Sequence, residues 1–336
     1  HHPAAFLAGL LNAWPMGFYH PATLVKDAQH HGTEVLPIDV TRSGRLCRVE
    51  RLRGPWPKHL PRPTPAVVTP QLAVRLGMRY VRGLRASTAD AIEREAARAP
   101  FAGVKDLARR AALREDELSA LAHAGAFATL PDAATGERGL SRRTALWQAA
   151  SAARDMGPLY DALEDDVASP LPEMSRFEET VSDYQTTELT AGPHLIAHFR
   201  PQLRREGVLS AAELAKAPDG SVVRTAGVIV VRQRPGTAKG FVFLSLEDET
   251  GMCQAILRPD LFRENRSLVV GSPALVVEGR LQKKDGTLSI RAERFERMSL
   301  EEPIPELRKP VSPPYPRHRP PAPPSRARSA LASGRV

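Results

Sequence analysis

Cysteine is scarce in this 336-residue chain: Cys47 and Cys253 stand far apart and form no CxxC pair. That excludes a disulfide framework and a cysteine zinc site, and points to a reducing cytosol. Long apolar runs are missing as well. None approaches the roughly 20 residues that span a bilayer, and no charged-then-apolar leader stands at the start. No GxSxG, Walker loop or His-Cys nucleophile arrangement is present either, so no catalytic residue is assigned. The chain opens on His1 rather than methionine, and we expect a fragment of something longer.

What is there is positive charge. Lys and Arg number 47 against 38 Asp and Glu, a formal net charge of +9, which calls for a polyanionic partner, nucleic acid or an acidic membrane surface. The length is too great for one ordinary core and suggests two or three modules.

Periodicity divides the chain. Residues 2–11 carry apolar side chains at helical spacing, Ala22 to His31 reads as a second helix closed by Gly32, and Val35 to Val40 as a short strand. Between Gly54 and Pro70 proline recurs too often for regular structure, giving a loop between strands near Cys47 to Leu52 and Leu72 to Leu76. From Gly77 to Ala153 the pattern is helical, with Ser87 and Asp90 resembling a capping box. An acidic connector from Gly157 to Pro172 precedes two short helices opened by Ser175 with Glu178 and Ser210 with Glu213.

The period then changes to two. Five strand candidates, Val222 to Val231, Gly240 to Asp248, Met252 to Leu257, Pro273 to Leu281 and Thr287 to Phe295, surround one short helix from Asp260 to Arg266. That is the layout of an OB-fold barrel. Gly227 is expected at a bulge and Asp285-Gly286 at a hairpin turn. Beyond Pro303 a proline- and arginine-rich tail has little to bury and is expected to be disordered.

Two clusters point to nucleic acid. Arg232, Arg234 and Lys239 share the loop between the first two barrel strands, where their side chains can converge on a phosphate path. Phe241 and Phe243 alternate onto one face of the next strand, either to stack unpaired bases or to pack between barrel and helices. The plainer reading of the loop is a solvated turn. Upstream, Leu76 to Leu84 forms a glycine-containing turn between helices, flanked by Arg75, Arg79, Arg82 and Arg85, with Gly83 allowing the backbone near a phosphate. This looks like a helix-hairpin-helix module, with Leu118 to Phe127 as its weaker second half. His194 and His198 lie four apart with no third ligand, and read as a helix face rather than a metal site. The carboxylates Glu247-Asp248-Glu249 sit in a barrel turn, where a solvated or turn-stabilising role outweighs two-metal chemistry.

The words of the sequence also carry a resemblance. Arg232 to Gly240, RQRPGTAKG, running into FVFLSLEDETG, together with LLNAWPMGFY from Leu10, DAQHHG from Asp27, AVRLGMRYVRGL from Ala73 and LPEM from Leu171, is similar to the error-prone C-family bacterial DNA polymerases, relatives of the replicative alpha subunit. The stretch Thr187 to Leu195 matches the family only loosely, and the terminal residues from Ser325 do not match its usual ending. The resemblance implies an α+β multidomain arrangement: the end of the fingers with its proline-rich loop at 1–72, a helix-hairpin-helix region at 73–156, a helical connector at 157–220, the OB-fold at 221–298 and a basic tail at 299–336. It implies a parent that extends primers with two Mg2+ ions during damage-induced synthesis, its palm lying upstream of His1. It also implies partners: primer-template and single-stranded DNA, the sliding clamp and a Y-family-like accessory protein, in the bacterial cytoplasm at the nucleoid. The competing readings are a replicative alpha-subunit fragment and a non-catalytic single-strand- or tRNA-binding OB protein.

Overall fold

The computed structural model describes residues 2–16, 19–52, 72–153, 169–284 and 287–300. The proline-rich loop, most of the acidic connector, the Asp285-Gly286 turn and the tail beyond residue 300 lie outside them.

The chain begins with helices α1 (Pro3–Ala13) and α2 (Pro21–His30), each opened by proline, whose missing N–H costs nothing in a first turn. A small sheet follows: β1 (Glu34–Leu36), β2 (Arg48–Arg51) and β3 (Leu72–Arg75) in the order β1-β3-β2. The strand expected through Val40 stops at Leu36, because Pro37 has no ladder donor. Five helices follow, α3 (Ala86–Arg98), α4 (Val104–Arg110), α5 (Glu115–His123), α6 (Arg142–Ala153) and α7 (Arg176–Thr187). One core runs from α1 through α6, with Leu11, Ile92, Leu107, Leu118, Leu121 and Phe127 almost wholly buried. The capping box expected at Ser87 and Asp90 does not form. The N-cap of α3 is Arg85, and Asp90 pairs with Arg45 at 2.9 Å.

Helices α8 (Arg200–Arg205) and α9 (Ala211–Leu214), with the two-residue strand β4 (Val208–Leu209) between them, lead into the barrel. The boxes expected at Ser175 and Ser210 are both present: each hydroxyl accepts the N3 amide and each glutamate returns to the cap amide. The barrel comprises β5 (Val222–Gln233), β6 (Val242–Asp248), β7 (Gly251–Leu257), β8 (Ala274–Lys284) and β9 (Thr287–Arg297), with α10 (Pro259–Glu264) and α11 (Arg266–Gly271) between β7 and β8. Its strands pair β5-β6-β7-β9-β8, and β8 returns to β5, so the five strands close on themselves. Closure leaves no open edge among them. Alternation decides the faces: Val242, Leu244 and Leu246 are buried inside, while Phe243 and Ser245 face outward.

The bulge expected at Gly227 lies instead between Ile229 and Val231. Gly227 serves close approach, since a Cβ there would stand 2.9 Å from the Glu247 carbonyl oxygen.

Candidate nucleic-acid interface

In the first hairpin turn, Gly83 has φ 84° and the Leu84 amide bonds the Val81 carbonyl at 3.2 Å, handing the chain to α3. The left-handed backbone is why glycine stands there. The four flanking arginines part company. Arg75 is buried; it pairs with Glu50 through two bonds and donates to the Pro37 carbonyl, so it braces the small sheet and is withdrawn from the expected DNA surface. Arg79 donates to the carbonyls of Asn12 and Trp14 at 2.6 and 2.7 Å, closing the end of α1. Arg85 makes a bidentate pair with Glu117, both bonds 2.8 Å. Arg82 is exposed and, among the described residues, meets exposed Glu188 at 3.3 Å.

The second half of the module starts earlier than the expected Leu118 to Phe127, which covers most of its second helix and the turn after it. Its turn is Ala111 to Arg114, between α4 and α5, with Ala112 in the left-handed region at φ 49°. Gly83-Leu84-Arg85 and Ala112-Leu113-Arg114 occupy equivalent places before α3 and α5. Alanine at the second left-handed position gives no sequence signal, which is why the turn was missed; the repeated Leu-Arg ahead of each helix was the available clue. This turn brings exposed Arg109 and Arg114 to the surface.

One buried carboxylate joins the two hairpins. Glu117 accepts the backbone amides of both N-cap residues, Arg85 and Arg114, each at 3.1 Å, in addition to the Arg85 guanidinium. Burial pushes its pKa upward, yet the bonds from Arg85, the Arg114 amide and Thr88 hold it down to about 2.

In the barrel loop the three cations also separate. Arg232 is in register with inward-facing Leu244, opposite in sense to Phe243, and donates to the carbonyls of Val269 and Ser272 at the end of α11. It therefore ties α11 to the barrel rather than joining the other two. Arg234 lies over the Phe262 ring of α10 at 5.7 Å, and Lys239 is exposed at the loop tip. Phe241 and Phe243 are both half-buried.

Register places Phe243 in a row. It pairs with Gln233 on one side and Ile256 on the other, and Ile256 pairs with Arg291 of β9. The adjacent row is Val231, Ser245, Gln254 and Ser289. An aromatic, an aliphatic and a guanidinium thus share the outer face of β6, β7 and β9, bounded by the cationic loop. Ile256 and Arg291 escaped the sequence reading because strand order, with β9 beside β7, is what brings them to Phe243.

The acidic turn stabilises structure and is not solvated. Asp248 accepts the amides of Thr250, Gly251 and Ala211, while the buried guanidinium of Arg200 pairs with Asp248 and Glu249. Burial raises the Glu247 carboxyl to about 7 against the pull of Lys26. These groups are committed to protein partners and do not fit a Mg2+ site. His194 faces Glu247 at 3.8 Å and His198 bonds Thr180 at 2.9 Å, so the two imidazoles serve different partners.

Comparison with known proteins agrees with this geometry. Residues 32–139 match a helix-hairpin-helix motif and residues 223–298 an OB-fold nucleic acid binding domain. The chain is 42% identical over 296 residues to a protein of Bordetella parapertussis named Error-prone DNA polymerase, covering 88% of this chain and 26% of that protein. It is 39% identical over 302 residues to the protein of the same name in Anaeromyxobacter dehalogenans, covering 89% and 25%. The chain thus spans about a quarter of the length of these curated relatives. Among solved structures, asparaginyl-tRNA synthetase from Pyrococcus horikoshii is similar over 32% of this chain and 27% of its own, at 26% identity and a TM-score of 0.23.

Proposed function

We propose, for a chain whose relatives along nearly nine-tenths of its length are error-prone DNA polymerases, that it supplies the DNA-holding part of such a polymerase. The barrel holds the unpaired template, and the two hairpins hold the duplex behind the primer end. The observation that carries this reading is the outward row of Phe243, Ile256 and Arg291 beside Arg234, Lys239 and Phe241. Aromatic faces and cations on one barrel surface suit an unstacked polyanion without sequence preference. At the hairpins, Gly83 and Ala112 bring backbone to the surface at helix starts, with Arg82, Arg109 and Arg114 outward, an arrangement that suits duplex phosphates.

On this reading the polymerase works in damage-induced translesion synthesis in the bacterial cytoplasm, with the sliding clamp and an accessory protein as partners, and its magnesium chemistry lies outside the described residues. Fluorescence anisotropy with a primer-template bearing a single-stranded overhang, the matching blunt duplex and a dT12 strand tests it. The junction should bind more tightly than either simple form, and affinity for dT12 should fall with salt by a log–log slope of about −0.7 per phosphate contact. Equal, salt-insensitive binding of all three would overturn it. The purified chain should not extend a primer, because two-metal transfer needs carboxylates free to hold cations; extension abolished by EDTA would contradict that assignment.

A further inference from the structure

On the barrel's outer surface, β8 and β9 place two arginines directly opposite each other: Arg280 is in register with Arg291. Like charges at such positions, with Cβ atoms about 5 Å apart, destabilise a sheet. Compensation is thin. The pair shares one carboxylate, Glu293, at 3.8 Å from Arg280 and 3.9 Å from Arg291, and all three side chains are about half exposed. Arg280 spends one further N–H on the Gly220 carbonyl at 3.3 Å. Their neighbours Leu281 and Ile290 are fully buried, so the backbone beneath the pair is fixed and both guanidiniums stand on the outer face.

The pair is also placed with respect to the stacking surface. The row Phe243, Ile256, Arg291, Arg280 crosses four neighbouring strands, β6, β7, β9 and β8. At about 4.8 Å between strands, Phe243 and Arg291 are separated by roughly 10 Å along the row. A stacked strand advances about 3.4 Å per nucleotide, so this spacing corresponds to about three stacked nucleotides and to fewer in an extended strand.

We propose that Arg280 and Arg291 form a phosphate seat that takes one backbone phosphate of a single strand whose base lies on Phe243, fixing the register of the unpaired strand across the barrel. The seat rests on the reading of the barrel face given above. Two forked guanidiniums offer planar, paired donors to the oxygens of one phosphate, and the bound anion relieves the repulsion between them.

The test uses the full chain, dT12 and inorganic phosphate. Arg280→Ala/Arg291→Ala should weaken dT12 binding five- to twentyfold and flatten the salt slope by about 0.7. Its unfolding midpoint without anion should equal or exceed that of the parent, and the rise in midpoint given by inorganic phosphate should shrink. A dT12 with one neutral methylphosphonate in place of each phosphate in turn should lose less affinity for the double variant than for the parent. Phe243→Ala is the control for the face itself. If Phe243→Ala weakens dT12 while the double variant binds with parental affinity and slope, the seat is wrong and the face stands. If neither variant changes binding, the face reading fails with it.

Discussion

The hairpin half and the barrel half are both rich in arginine, yet they use it differently. Around the first hairpin, Arg75, Arg79 and Arg85 are committed to Glu50, to the carbonyls of Asn12 and Trp14, and to Glu117. On the barrel face, Arg280 and Arg291 share one distant carboxylate. A cluster of cations in sequence therefore does not show which side chains are left free. On the proposed reading, a binding surface is marked by the cation density that remains after internal carboxylates and carbonyls are served.

The sharpest way to break this contrast is to remove a committed partner. Glu117→Ala leaves two cap amides without their acceptor, while the half-exposed Arg85 guanidinium can turn to water, and should cost about 1–3 kcal/mol. Chemical denaturation measures it. A loss below about 1 kcal/mol would show that the hairpins are not joined through this carboxylate.

A second test uses pH. Glu247 has its folded pKa raised from 4.5 to about 7. Its contribution is therefore fully present below 4.5 and is lost as pH rises through 7. Lys26, lowered by burial to about 8, works in the other direction, its share being lost as pH falls through 8. Between pH 5 and 7 His194, lowered by burial from 6.5 to about 3, also changes the parent's stability, so the carboxyl is isolated by comparing Glu247→Gln with the parent. Across that interval the stability of Glu247→Gln should gain about 2 kcal/mol on the parent; parallel pH profiles would refute the cause assigned.

The smallest effect separates neighbours within one loop. Arg232→Ala should cost about 1 kcal/mol of stability through the lost bonds to Val269 and Ser272 and leave the salt slope for dT12 unchanged. Arg234→Ala/Lys239→Ala should do the reverse, flattening the slope by up to about 1.4. Identical behaviour of the two variants would erase the distinction.

Much of the fold was legible because it depends on local signals. Alternation gave all five barrel strands, and Ser175 with Glu178 and Ser210 with Glu213 gave two helix starts. The site was less legible because its determinants are distant in sequence. Glu117 lies 32 residues beyond Arg85, and Asn12 lies 67 before Arg79. Arg291 joins Phe243 only through the crossing of β9 to the side of β7. The Ala112 turn was hidden for another reason: a left-handed residue that is not glycine leaves no mark in composition.

The most direct measurement is a hydrogen–deuterium exchange difference map of the full chain with saturating dT12 and, separately, with a blunt duplex. Single-strand binding should slow exchange along β6, β7 and β9 around Phe243, Ile256 and Arg291 while leaving the amides at Gly83 to Ala86 unchanged, and the duplex should give the opposite pattern. Protection by dT12 at the hairpins with an unaltered barrel face would contradict the division of labour between the two halves.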